Sequence, residues 1–242
     1  MAHVSRIHVS GRIAPGPFSL TGEAAKRLIS VMRVQPGEPV LLFSGDGSEW
    51  QASVASVARD RLVLQVSGQA RRSAPPTVGL EVWAGMVRPQ RFDWLIEKCT
   101  EAGVDVIRPL TSQHSARGET ASASRAERWN RIAIEASEQC GRLSLPVIGP
   151  LAAFANLLEP HGHPVFIAQP GGQSIFELVP LLPVRGTAII AIGPEGGFSE
   201  DEVRTARSRG ALSLSLGTNI LRTETAALAA TMLLRTALDH QG

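Results

Sequence analysis

Gly193-Pro194-Glu195-Gly196-Gly197 packs three glycines into five positions. Residues without a Cβ let the main chain approach a flat or bulky ligand and adopt positive φ angles, so the segment can line a binding site or make a tight turn. Farther on, Arg222-Thr223-Glu224-Thr225 sets a cation and an anion side by side. Charge at such a junction is costly to bury without a partner or a purpose. Either Arg222 and Glu224 pair with each other while Thr223 or Thr225 caps a helix, or the two face a ligand. No G-x-G-x-x-G follows the first strand of the α/β region and no G-x-x-x-x-G-K-[ST] occurs anywhere, which argues against a dinucleotide fold and a P-loop. Cys99 and Cys140 lie far apart, and His161-Gly162-His163 reads as a surface turn, so no metal site is expected.

Both segments need a strand before them and a helix after them. Thr187–Ile192 reads as the strand leading into the glycine segment; Ser199 and Glu202 form a capping box for the helix that follows, closed by Gly210. Strand Leu212–Leu216 leads into the second segment, whose helix is alanine-rich. Two strand-to-helix loops thus share one sheet edge, where open α/β sheets bind ligands. Upstream, Leu80–Ala84 and Val104–Leu110 read as strands around a helix marked by Phe92, Leu95, Ile96 and Cys99. A longer helix starts at a Ser124–Glu127 capping box, carries Trp129, Ile132, Ala136 and Cys140 on one face and ends at Gly141. Both cysteines are expected on buried faces. Val165–Ala168 and Ala188–Ile192 are continuous apolar runs of the kind a parallel sheet buries on both sides. The alternation predicts an α/β layer fold.

The first 72 residues differ. Arg6–Val9, Val40–Phe43, Trp50–Val57 and Leu62–Val66 are short β-rich runs, with Gly45-Asp46-Gly47 as a turn and one helix, capped by Thr21, carrying Ala24, Ala25, Leu28, Ile29 and Met32. A small barrel is the economical arrangement, and Ser67–Thr77 reads as a linker. This part holds nine Lys/Arg against five Asp/Glu; the remainder holds fifteen against seventeen. The basic excess and the preference for arginine, with only Lys26 and Lys98 as lysines, suit a polyanionic partner or an arginine-favouring genome equally. At 43% apolar and 19% charged, the chain is a globular protein rather than a disordered or fibrous one. The longest strongly apolar run, Ala188–Ile192, is too short to span a bilayer, and a cytoplasmic location without membrane attachment is expected.

Ile192-Gly193-Pro194-Glu195-Gly196-Gly197-Phe198-Ser199, followed by Leu216-Gly217 and Ile220-Leu221-Arg222-Thr223-Glu224-Thr225-Ala226, closely resembles the paired motifs of the SPOUT-class methyltransferases that modify uridine N3 in 16S ribosomal RNA. The resemblance extends to Ile96–Val104, Glu138–Arg142 and the Arg33–Glu38 turn, and so covers nearly the whole chain. It implies a C-terminal α/β domain (73–242) tied in a deep trefoil knot and a PUA-like RNA-binding β-barrel (1–72). It further implies S-adenosylmethionine as cofactor, 16S ribosomal RNA or the small subunit as partner, and a homodimer. The final helix, Ala226–Leu238, suits a subunit interface or an interior position equally well. Gly193, Pro194, Gly196, Gly197, Leu216, Gly217, Ile220 and Leu221 are expected at the cofactor. Arg222 is expected to stabilise charge on the base and Glu195 or Glu224 to accept its proton, while Arg6, Lys26, Arg27, Arg33 and Arg142 are expected at RNA. A binding module without catalysis would need no Arg222–Glu224 constellation. A phosphate-handling enzyme is disfavoured by Glu200, Asp201 and Glu202 at the helix start.

Overall fold

The computed structural model describes residues 4–115 and 122–240. The chain divides into two compact units. One is built from the chain up to Pro75 together with Ser137–Leu145, the other from Pro76–Ala136 and the chain from Pro146 onward.

The first unit contains β1 (Ser5–His8), β2 (Gly16–Thr21), α1 (Gly22–Lys26), β3 (Pro39–Phe43), β4 (Ser48–Val57) and β5 (Arg61–Arg72). They form a five-stranded sheet in the order β1-β3-β4-β5-β2, with β1 parallel to β3 and the other pairs antiparallel. Alternation along β5 turns Leu62, Leu64 and Val66 inward, onto Ile7, Leu42 and Leu28. Each such buried aliphatic side chain contributes about 1.5–3 kcal/mol. The helix continues as a π-helical turn, Arg27–Val31; Thr21 sits at its N-cap position but makes no side-chain capping bond. Two expectations are corrected. Gly16–Thr21 forms an edge strand, where a proline is tolerated, and β5 runs through the expected linker as far as Arg72, because Arg71 has a partner.

That partner belongs to a buried charge cluster. Arg6 Nε donates to Glu49 Oε1 at 2.6 Å, its Nη1 to the Ser137 carbonyl at 2.5 Å and its Nη2 to the Arg142 carbonyl at 2.6 Å, with the guanidinium 3.8 Å from the Phe43 ring centroid. Arg71 Nε donates to Glu49 Oε2 at 2.8 Å. Burial pushes the Glu49 pKa up, but the Arg71 and Arg6 guanidinium groups outweigh it and hold the carboxyl below its ordinary value. Glu138 accepts from the His8 amide at 2.8 Å and pairs with Arg27.

The second unit contains β6 (Val78–Gly85), α2 (Pro89–Glu101), β7 (Val106–Thr111), α3 (Ala123–Cys140, its last turn counted with the first unit), β8 (Val147–Ile148), β9 (Ala152–Ala153), α4 (Phe154–Leu157), β10 (Val165–Gln173), α5 (Ile175–Leu178), β11 (Gly186–Ile192), α6 (Glu200–Ser208), β12 (Leu212–Leu214) and α7 (Thr223–Asp239). Its strands are all parallel, in the order β12-β10-β11-β6-β7-β8, with β9 beside β7. Residues of β6 and β11 alternate between two cores. Leu80, Val82, Ala188 and Ile190 meet Phe92, Leu95, Ala227 and Leu234 of α2 and α7; Trp83, Ile189 and Ala191 meet Phe154, Phe198 and Ala206 on the other face. That double burial is why these strands read as continuous apolar runs. α7 buries most of its length but leaves Met232 and Leu233 exposed. α3 starts earlier than expected: Ser122 rather than Ser124 accepts, from the Arg125 amide at 3.3 Å. Cys99 is buried, whereas Cys140 is exposed rather than buried.

Candidate active site

β10, β11 and β12 are neighbours, so the loops leaving their C-terminal ends converge at one edge. The β11 loop turns at once: the Gly197 amide donates to the Pro194 carbonyl at 2.8 Å, and Gly197 takes φ +71°, a conformation glycine adopts freely. Ser199 and Glu202 complete a reciprocal capping box that starts α6. The β12 loop passes Gly217 at φ +112° and enters α7 with Arg222 at the N-cap position. Neither threonine caps that helix as expected. Thr223 Oγ1 instead donates to the Gly193 carbonyl at 3.0 Å and ties the two loops together.

Between the loops lies a cavity of about 340 Å3. It is lined by all eight residues expected at the cofactor (Gly193, Pro194, Gly196, Gly197, Leu216, Gly217, Ile220 and Leu221), and by Glu195. Its third wall, Ala168-Gln169-Pro170, lies outside both sequence motifs. There Ala168 and Gln173 both pair with Leu214, so the intervening residues bulge out of the sheet. Pro170-Gly171-Gly172 was the available signal, masked by the strand pattern running into it. Gln169 and Asn219 add amide side chains to the lining.

The glycines are required by their neighbours. A Cβ built on Gly193 would lie 3.0 Å from the Gly197 carbonyl carbon, and one on Gly85, at the end of β6, would lie 2.3 Å from the Pro194 nitrogen. Walls of Ile192, Leu216, Leu221 and Ala226, with glycine main chain offering N–H and C=O groups between them, suit a flat heteroaromatic ring carrying polar edges. S-adenosylmethionine fits that donor set. Among the described residues no group of three or more His, Cys, Asp or Glu side chains could hold a metal ion.

The three residues expected to carry chemistry are placed differently. Arg222 is exposed, between the cavity-lining Leu221 and Thr223, and no ion pair or hydrogen bond engages its side chain among the described residues. It does not pair with Glu224. Glu224 is buried and faces Arg91 of α2, with Nε 3.7 Å from Oε1; its Oε2 is buried and has no hydrogen-bond donor among the described residues. Arg91 also pairs with the half-exposed Glu195. Arg91 therefore bridges both candidate proton acceptors, a role that nothing in the spacing of residues 91, 195 and 224 announces.

Of the residues expected at RNA, Lys26 and Arg33 are exposed and Arg27 is half-buried against Glu138. Arg6 is corrected: it is buried with its guanidinium committed to Glu49 and main-chain carbonyls, and it has no face left for a phosphate. Arg142 is half-buried, with Nε donating to the Ser144 carbonyl at 2.9 Å.

Comparison with known proteins agrees with this geometry. Residues 74–235 match a family model described as an RNA methyltransferase domain, and residues 20–67 one described as an RNA methyltransferase PUA domain. The Bacillus subtilis ribosomal RNA small subunit methyltransferase E is 30% identical over 87% of this chain and 86% of its own length. A Legionella pneumophila protein solved with bound S-adenosylmethionine superposes with a TM-score of 0.89 at 28% identity, covering 98% of each chain. The Neisseria gonorrhoeae ribosomal RNA small subunit methyltransferase E, also solved with S-adenosylmethionine, gives 0.87 at 26% identity, covering 97% of this chain and 98% of that one. With a parallel-sheet domain whose glycine loops enclose one cavity, joined to a PUA-like domain, the chain belongs to the RNA methyltransferase family that includes the ribosomal RNA small subunit methyltransferase E proteins.

Proposed function

We propose that this protein transfers a methyl group from S-adenosylmethionine to N3 of a uridine in 16S ribosomal RNA. The observation that carries the reading is the cavity formed where the β11 and β12 loops meet, with an arginine unengaged among the described residues between two of its lining residues.

When bound, S-adenosylmethionine supplies an electrophilic methyl group on a sulfonium. The main chain of Gly193, Gly196, Gly197, Leu216, Gly217 and Leu221 holds it, and the apolar walls keep water from the reacting centre. Uridine N3 carries a proton at neutral pH, so that proton must leave and the charge left on the ring must be stabilised. Arg222 meets the developing charge at a ring carbonyl. The proton goes to a carboxylate directly or through water. Glu224, whose buried Oε2 has no donor among the described residues and lies outside the cavity lining, takes it through water and is better suited than Glu195, whose carboxylate is paired with Arg91. Orienting donor and acceptor in line supplies much of the acceleration.

The same reading takes residues 1–72 as the module that holds RNA, through Lys26, Arg33 and the free side of Arg27, and 73–242 as the catalytic module. Phosphate contacts of that kind add affinity without selecting sequence. The resemblance to the SPOUT class extends the reading to a knotted backbone in 73–242, and exposed Met232 and Leu233 on α7 support a homodimer. No helix among the described residues is long and apolar enough to cross a membrane, which suits an enzyme meeting ribosomal RNA in the cytoplasm.

Calorimetric titration with S-adenosylmethionine, repeated on Gly196→Trp, tests the assignment together with mass-spectrometric mapping of methylated 16S RNA. Binding by the wild type and none by the variant is expected, with the new methyl on a uridine N3. A wild type that binds no cofactor, with or without RNA, overturns the reading and leaves an RNA-binding module.

A further inference from the structure

Three side chains from elsewhere in the second unit hold the glycine loop. Thr223 takes the Gly193 carbonyl and Arg91 takes Glu195. The third is His114, on the turn that follows β7, and the chemistry above gives it no part. Its Nδ1 lies 2.9 Å from the Gly196 carbonyl oxygen. A carbonyl only accepts, so Nδ1 carries the hydrogen. The two groups are so close that a Cβ built on Gly196 would lie 2.8 Å from His114 Cβ, and any side chain at 196 would force the turn to move.

The turn is itself fixed. The Ser115 amide donates to the Ser112 carbonyl at 3.0 Å, and Ser115 Oγ accepts from the Ser112 amide at 2.9 Å. The Gln113 amide donates to Glu202 Oε1 at 2.9 Å, while Glu202 Oε2 accepts from the Ser199 amide at 2.8 Å. One carboxylate therefore caps α6 and pins the turn that carries His114.

We propose that His114 is a positioning residue of the cofactor pocket. Its Nδ1–H fixes the Gly196 carbonyl, which sets the peptide plane between Gly196 and Gly197 and presents the cavity-lining main chain there in its binding conformation. The physical need is specific to this loop: adjacent glycines have the most backbone freedom to lose, and a loop ordered in advance spares the ligand that cost. The proposal rests on the reading that the cavity takes S-adenosylmethionine.

The test compares the full-length wild type with His114→Ala, His114→Asn and His114→Gln. The readouts are the dissociation constant for S-adenosylmethionine and backbone amide exchange across residues 193–198 in the ligand-free protein. The asparagine amide nitrogen stands the same number of bonds from Cβ as Nδ1, and the glutamine nitrogen one bond farther. His114→Ala should weaken binding about 3- to 10-fold and speed exchange. His114→Asn should restore both, and His114→Gln should behave as the alanine variant does. An alanine variant that binds and exchanges like the wild type overturns the proposal. So does an asparagine variant as weak as alanine, since ring bulk rather than the N–H would then be the cause. A wild type that binds no S-adenosylmethionine removes the reading of the cavity, while exchange in the ligand-free protein still decides whether His114 orders the loop.

Discussion

Two regions of this molecule bring arginine and glutamate together, and they treat the charges in opposite ways. In the first unit, Arg6, Glu49 and Arg71 satisfy one another and the carbonyls of Ser137, Gly141 and Arg142. At the glycine-loop edge of the second unit, Arg222 stands exposed and, among the described residues, has no partner, while Glu224 keeps a buried oxygen without a donor there, Arg91 reaching only its other oxygen. Residue type does not separate a structural charge from a chemical one; counting its partners does. A closed set of partners stabilises a fold, and an open one is a place for a ligand to complete.

The largest effect that can break this contrast is on stability. Arg6→Ala leaves Glu49 buried with half of its compensation gone, and equilibrium denaturation should report a loss of about 3–5 kcal/mol; a loss near zero would make the cluster a surface ornament. Its pH dependence has a definite sign. Because the folded Glu49 pKa lies below its ordinary value of 4.5, its contribution is fully present above 4.5 and is lost as pH falls through the lower folded value. Glu49→Gln should remove that part of the acid slope and leave the rest.

Next comes Arg222→Ala, which should lower single-turnover methyl transfer by about 10²–10³-fold while cofactor affinity and melting temperature stay at wild-type values. A coincident fall in affinity would move Arg222 from the chemistry to the binding of cofactor. Glu224→Gln should cost more in turnover than Glu195→Gln, with a gap on the order of tenfold. Equal losses would mean that Arg91 makes the two carboxylates act as one unit. The smallest effect concerns thiols. Burial pushes the Cys99 pKa up to about 12 despite the hydrogen bond from Thr231, while Cys140 is exposed. A maleimide at neutral pH should therefore label one thiol per native chain, and both only after unfolding.

Much of the second unit was legible in the sequence because its signals are local. Continuous apolar runs marked β10 and β11, the Ser199–Glu202 box marked the start of α6, and Gly141 marked the end of α3. The eight cavity-lining residues expected at the cofactor stood within two short motifs. What escaped was long-range. Arg6 reads as a surface cation because its acceptors lie 43 to 136 residues away. Gly16–Thr21 hides a strand behind a glycine and a proline, and the β10 bulge is defined only by its pairing with β12. Arg91 and His114 meet the glycine loop through tertiary packing alone, so no spacing rule could point to them.

The first unit is discontinuous in sequence, and this bears on how the chain is born. Strand β1 leaves a ribosome well before the carbonyls that quench its arginine, which belong to Ser137 and Arg142. At roughly 5–20 residues per second, the stretch from Pro75 to Ser137 takes on the order of 3–12 s to synthesise. Through that interval Arg6 and Glu49 have only each other, Arg71 and water. The first unit thus starts to be made before the second and cannot be completed until its neighbour's first segment, Pro76–Ala136, has been made.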